Sequence, residues 1–445
     1  MDNLKSMKVI DTKIFILISL IISPFIYQWG PIVFLVNVFM QILLLLYTKE
    51  NVDTKIWMVY LLSFSYFGLE LFGVRIYDLI MVVSIIFLFL INFKLQIRLV
   101  DVFLFIIFII YIIFTWSING FYYQGFIEIS RYLFSFLTFI LFFNLKPRWE
   151  TIIKFIPIIS IGNIIQAIEL YILTLMNKVV VFNSNIFSVN YFNNTQEMRL
   201  NGFFTDPNKF LCFFLFLFIL FEFIHTTKKI RMPFKYCLIT RFVLILGVLI
   251  SFSRTGLVVV VLYLVLNLTK RIFHKYNVYV WIIFLLIGFF IITLFSRIGY
   301  LTEVLNYIFV ITTKILGRDR TFEINSFITE DNRYLIWNTT IEYIKMNPLI
   351  GYGPLSFERL LPYPPHNTYL TLLLDLGLLG CILFILLIKP LFKITELEVI
   401  IPFIVIPSLL LDLSNFRLLY ILLAISIVSG YYKKPERVAK RIMDA

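Results

Sequence analysis

Charge is scarce in this sequence. Only 15% of its 445 residues are Asp, Glu, Lys or Arg, 60% are hydrophobic, and the mean hydropathy is +0.93. A soluble domain so composed has too little polar surface to cover itself, so the chain is expected to reside in lipid. Glycine is also sparse, 17 residues against 50 Phe and 25 Tyr, which points to interdigitation of bulky side chains rather than small-residue helix seams. The three cysteines, Cys212, Cys237 and Cys381, are too few and too far apart for a disulfide framework or a zinc site. No P-loop, GxGxxG or nucleophile elbow occurs, so nucleotide-driven chemistry has no basis here and no cofactor is expected. Four carboxylates lie in or near apolar segments, Glu70, Glu169, Asp375 and Asp412. Such residues are functional candidates, but their scattered positions make no metal-ligand pattern.

What the chain has in abundance is apolar runs long enough to span a bilayer, which requires about 20 residues each. They fall near 13–28, 31–48, 56–73, 76–93, 99–117, 128–145 and 152–175, then near 206–224, 239–252, 255–269, 277–296, 367–389, 397–413 and 416–432. The expected fold is an all-α integral membrane bundle of about fourteen transmembrane helices. The first run, preceded by Lys5, Lys8 and Lys13, resembles a signal peptide. It ends in Ser23-Pro24-Phe25-Ile26-Tyr27 without a small-x-small cleavage pattern, and reads as the first membrane helix.

The net charge of +13 is spread between apolar spans, where basic residues set topology and meet lipid headgroups, so no nucleic-acid partner is expected. With the N-terminus inside, 25 of the 39 Lys and Arg fall on the inner side. Seven of the 14 outer ones (Arg297, Lys314, Arg318, Arg320, Arg333, Lys345 and Arg359) share one long connection, where the positive-inside rule is weak. Both termini are thus expected in the cytoplasm. The chain reads as a single polytopic domain, 1–445, with outer connections at 176–205 and 297–365. In the longer one, Tyr334, Trp337, Ile341 and Ile344 share a helical face, which predicts an amphipathic helix on the outer membrane surface. Asn347-Pro348 ends it, and Gly351-Tyr352-Gly353-Pro354 with Pro362, Pro364 and Pro365 force an irregular return.

This topology leaves His366 as the one outer histidine, since His225 and His274 fall on inner loops. His366 starts a spanning helix, where the helix dipole favours the neutral imidazole and so a proton acceptor. A bland reading stands beside it: Pro364-Pro365 breaks the loop, Asn367 caps the helix, and His366 is an interfacial polar residue. Arg199 precedes Gly202-Phe203-Phe204-Thr205-Asp206-Pro207, of which the last three residues make an ordinary helix start. Arg254 occupies a tight outer turn between two apolar spans, either paired with an anion or snorkelling to lipid phosphate. Arg333 opens the amphipathic helix, as an anion ligand or a solvated flank. Guanidinium matches phosphate oxygens bidentately and never loses its charge, so three outer arginines with a histidine point to an anionic, membrane-borne substrate such as a polyprenyl diphosphate.

At four places in order the sequence resembles the bacterial O-antigen polymerase and O-antigen ligase superfamily. These are Arg199-x-x-Gly202 running into Asp206-Pro207-Asn208, Ser251-x-Ser253-Arg254-x-Gly256, Arg333-x-x-x-Trp337 leading to Pro348-x-x-Gly351-x-Gly353, and His366-Asn367-x-Tyr369 followed by Asp375-x-Gly377-x-x-Gly380. They cover roughly 195–390; the first seven spans agree in hydropathy alone. The resemblance implies metal-independent, inverting transfer of a glycan from undecaprenyl diphosphate to a sugar hydroxyl at the outer face of the cytoplasmic membrane. It implies donor and acceptor that are both undecaprenyl-diphosphate-linked oligosaccharides, with a chain-length regulator and a flippase as partners. Arg199 and Arg254 would hold the diphosphate, Arg333 would bind the donor or orient the acceptor, and catalytic His366 would act as general base. Asp375 stands where the family has Glu, and receives no role. A polymerase is the leading expectation, a ligase acting on lipid A core its closest rival. A flippase or transporter is a third reading, though no repeated halves are visible.

Overall fold

The structure, a computed structural model, describes residues 2–71, 74–90, 99–176, 187–189, 200–204, 206–227, 230, 232–251, 253–272, 332–393, 397–414 and 416–428. The predicted eleventh span, 277–296, lies outside these residues, and so does Arg199.

The chain is predominantly helical, as hydrogen-bonding the backbone within lipid requires. Ten helices cover its first part: α1 (Asp2–Gln28), α2 (Pro31–Tyr47), α3 (Val52–Phe64), α4 (Ile76–Leu90), α5 (Leu99–Ile118), α6 (Tyr123–Asn144), α7 (Trp149–Leu175), α8 (Pro207–Thr227), α9 (Phe234–Ile250) and α10 (Arg254–Ile272). After the long connection come α11 (Asn332–Met346), the short α12 (Phe357–Leu360), α13 (Thr368–Ile388), α14 (Leu397–Ile400), α15 (Ile406–Leu410) and α16 (Arg417–Val428). Among the described residues, four helices are long and apolar enough to cross a membrane: Tyr123–Asn144, Trp149–Thr174, Pro207–Thr227 and Thr368–Phe392. Local signals set several helix starts. Pro31 is the first residue of α2, the Asn51 side chain accepts the Thr54 N–H at 3.0 Å, and Asp206 accepts the Asn208 N–H at 2.7 Å ahead of α8.

Three elements differ from their apolar pattern. The third span, expected over 56–73, stops at Phe64. Beyond it β1 (Leu69–Leu71) pairs antiparallel with β2 (Val74–Arg75) and with β3 (Phe187–Val189), a small sheet in an otherwise helical chain. The Gly68 N–H is drawn off to the Phe203 carbonyl at 2.7 Å, a tertiary contact that ends the helix. The thirteenth span is broken: Pro402 and Pro407 leave a π turn (Ile401–Val405) between α14 and α15. The amphipathic helix exists as α11, and Trp337 and Ile344 of the expected face are half-buried, but Ile341 is exposed and the most deeply buried residues are Ile336 and Thr340. Ile336 clusters with Leu361 and Leu374, so α11 packs on the return path of its own connection and on α13.

α8 is the centre of the bundle. Every residue from Phe210 to Ile224 is buried, and its Phe213, Phe218 and Phe210 rings meet Phe64, Phe403 and Phe204. That is the bulky interdigitation a glycine-poor sequence requires. At one end of α8, Glu222 receives two hydrogen bonds from Arg241, at 2.6 and 3.0 Å. The other end carries the site.

α13 is interrupted where Gly377 (φ 64, ψ −169) leaves the helical path. The backbone groups this frees are taken up by the return segment. Tyr352 and Gly353 donate to the carbonyls of Leu374 and Asp375 at 2.9 and 2.7 Å, and Leu378 and Leu379 donate to those of Pro348 and Leu349 at 2.8 and 3.3 Å. Pro348-x-x-Gly351-x-Gly353 and Asp375-x-Gly377 are therefore two sides of one interlock.

Candidate active site

Five separate segments converge at the end of the bundle where α8 begins, and enclose a cavity of about 310 Å³. The turn after α3 and the start of α4 supply Phe67, Arg75 and Tyr77; α6 supplies Arg131; α8 supplies Asn208 and Lys209, with Asp206 just ahead of it. The return segment contributes Leu355, Phe357, Pro364 and His366, and the connection from α15 to α16 contributes Asp412 and Arg417. All of these lie at span ends that the charge pattern assigns to one side of the membrane.

The lining is biased towards positive charge: Arg75, Arg131, Lys209 and Arg417 face two carboxylates, Asp206 and Asp412. The arginines are held from behind by acids outside the lining. Glu70 lies 3.7 Å from Arg75, Glu128 2.9 Å from Arg131, and Asp78 3.1 Å from the buried Arg417. Arg75 donates to the Tyr77 hydroxyl at 2.7 Å. Its guanidinium and the Lys209 ammonium both approach the Phe67 ring, 4.8 and 5.3 Å from the centroid, a cation–π support for two like charges. Asp412 sits between α15 and α16, outside either helix, and accepts from the Ser414 N–H at 3.0 Å and hydroxyl at 2.7 Å.

His366 is fixed from both sides. Before it, the Pro365 carbonyl accepts the Trp337 indole N–H at 2.7 Å, tying α11 to this point. After it, the Asn367 side chain caps α13, accepting from Tyr369 and Leu370 at 3.0 Å each. Thr368 then binds the α15–α16 connection through the Leu411 carbonyl at 3.1 Å and the Leu413 N–H at 2.9 Å. Between these anchors His366 adopts φ 50, a left-handed conformation that a non-glycine residue holds only when its surroundings enforce it. The capping role expected of Asn367 is thus real, and it coexists with an imidazole on the cavity wall.

Of the four predicted site residues, His366 lines the cavity. Arg254 opens α10, next to Ser253, whose hydroxyl donates to the Asn208 side chain at 3.1 Å. Arg333 is the second residue of α11, one turn ahead of Trp337. Arg199 falls outside the described residues; nearby Leu200, Phe203 and Phe204 are packed into the core. Asp375 anchors the return segment, accepting from Leu355 N–H at 2.8 Å and from Ser356 N–H and hydroxyl at 2.9 and 2.6 Å.

Arg75, Arg131, Lys209 and Arg417 were not singled out by motif, yet a signal for them existed. Outside the long connection the topology expected from the sequence puts seven basic residues on the outer side, Arg75, Arg131, Lys178, Arg199, Lys209, Arg254 and Arg417. These defy the positive-inside trend, and four of them line the cavity.

No curated protein and no solved structure matches this chain. Residues 239–385, which carry the Arg254, Arg333 and His366 motifs, match the O-antigen ligase family. That match, about a third of the chain, is consistent with the O-antigen polymerase and ligase superfamily.

Proposed function

We propose that this protein is a polymerase joining undecaprenyl-diphosphate-linked oligosaccharide repeat units into O-antigen or a similar surface polysaccharide, at the outer face of the cytoplasmic membrane. The observation that carries the reading is one cavity whose wall combines His366 with four basic side chains, Arg75, Arg131, Lys209 and Arg417. In this reaction an acceptor sugar hydroxyl attacks the anomeric carbon of the donor glycan as the bond to the undecaprenyl diphosphate breaks. His366 takes the hydroxyl proton, and the departing diphosphate keeps the bonding electron pair. Arg75, Arg131 and Lys209, with Arg199, Arg254 and Arg333, stabilise that charge, which is greatest at the transition state. Single displacement inverts the anomeric centre.

A ligase acting on lipid A core shares the family and the same machinery. A deletion strain separates the two. Loss of a polymerase leaves single repeat units on the lipid carrier, whereas loss of a ligase lets long lipid-linked chains accumulate, and that second outcome overturns the polymerase reading.

Arg254→Lys keeps the charge but loses the bidentate fork. Its transfer rate in membranes is expected to fall roughly ten- to a hundredfold, since a charge-assisted hydrogen bond is worth about 1.5–3 kcal/mol. Wild-type activity would reduce Arg254 to a topology anchor.

A further inference from the structure

A second hollow, of about 700 Å³, runs between α2, α3 and α4. Its wall is apolar apart from Ser84 and Lys55. Along α4 it extends from Ile76 to Phe87, ~16 Å at helical rise, about half of a ~30 Å hydrocarbon core and so the depth of one leaflet. Val83 is 65% exposed, and Leu46 and Phe87 are exposed as well, so the slot opens sideways, where the acyl chains lie.

Lys55 stands in the first turn of α3, at the end remote from Phe64 and the cationic cavity. It is half-buried, and its ammonium has no ion-pair partner among the described residues. The acids beside it are engaged elsewhere: Asp53 accepts the Lys146 N–H at 2.8 Å, and Glu50 takes the Thr151 hydroxyl at 3.0 Å and lies 3.6 Å from Arg148. The exposed Lys49 and Arg148 add to the positive character of this end. An apolar slot one leaflet deep with a lysine at its rim has the chemistry of a basic lipid pocket.

We propose that the hollow between α2, α3 and α4 is a binding site for an anionic phospholipid, with an acyl chain in the slot and the phosphate on Lys55. The site is separate from the glycosyl-transfer cavity and does not depend on that reading.

Native mass spectrometry of the full chain in detergent tests it, with phosphatidylglycerol and phosphatidylethanolamine of matched acyl chains. Wild type is expected to retain phosphatidylglycerol about fivefold better, the factor that one lysine near an anionic headgroup supplies. Lys55→Glu and the milder Lys55→Gln erase the preference, Lys55→Arg keeps it, and Val83→Trp lowers retention of both lipids by filling the slot. Lys209→Ala, which strips a cation from the other cavity, leaves the preference intact. Equal retention of the two lipids by wild type, an undiminished preference in Lys55→Gln at wild-type thermal stability, loss of the preference in Lys209→Ala, or displacement of phosphatidylglycerol by equimolar polyprenyl phosphate would each overturn the assignment.

Discussion

Replacing His366 with alanine is expected to lower polymer formation by at least about a hundredfold, the lower bound of what a positioned general base contributes, with protein levels unchanged. His366 shares its cavity with Arg75, Arg131 and Lys209, so in the proposed reaction one cavity would hold both the attacking hydroxyl, beside the imidazole, and the departing diphosphate, beside the cations. In a deletion strain the read-out is the ladder of surface polysaccharide on a gel: wild type restores it, and His366→Ala leaves single repeat units on the core. The φ of 50 makes a second variant informative. Glycine adopts this conformation without strain, so His366→Gly removes the imidazole while easing the backbone. If both variants lose the ladder at normal abundance, the ring itself is required. If His366→Gly restores it, His366 serves only as a turn residue and the proton acceptor lies elsewhere.

The largest expected effect on stability is at Gly377. Its φ of 64 and ψ of −169 fall in a region that essentially only glycine populates. A Cβ there would also press on the Leu349 carbonyl and come within 2.5 Å of the Ile350 nitrogen. These are backbone atoms held by the same hydrogen bonds that close the break in α13, so neither side can yield alone. Gly377→Ala is expected to cost roughly 2–5 kcal/mol, from backbone strain together with overpacking. Thermal unfolding in detergent should show a lower midpoint and loss of the monodisperse species. Gly120 gives the comparison, because its φ is 93 yet nothing lies within 4 Å of a Cβ built on it. Gly120→Ala bears strain alone, so a midpoint as low as that of Gly377→Ala would contradict the interlock.

The two variants probe different levels of the architecture. The interlock between 348–353 and α13 brings Leu355 and Ser356 onto Asp375, and from there the return path leads to His366. Asp375, left without a role by its mismatch to the family pattern, is thus a structural clamp. Its carboxylate accepts three hydrogen bonds from the return segment, which accounts for an acid buried beside lipid-spanning structure.

Much of the helical organisation was legible one residue at a time, because in lipid a long apolar run must hydrogen-bond its own backbone. The starts at Pro31, Pro207 and Thr368 follow from proline and from Asp206 and Asn367, which act on their immediate neighbours. Three of the four motifs likewise placed His366, Arg254 and Arg333 on the segment that matches the family, while the Arg199 motif lies outside it. Tertiary structure decided the rest. Phe64 ends α3 because the Gly68 N–H finds a carbonyl at Phe203, far along the chain. α11 turns Ile336 rather than Ile341 inward because Leu361 and Leu374 are there to receive it. The cavity cations Arg75, Arg131, Lys209 and Arg417 come from segments with no sequence relation, and each acquires meaning only through the acid behind it or the Phe67 ring beside it. Period, caps and breakers are local forces and can be read along the chain; the charge of a cavity is a sum over distant residues, and folding alone brings its terms together.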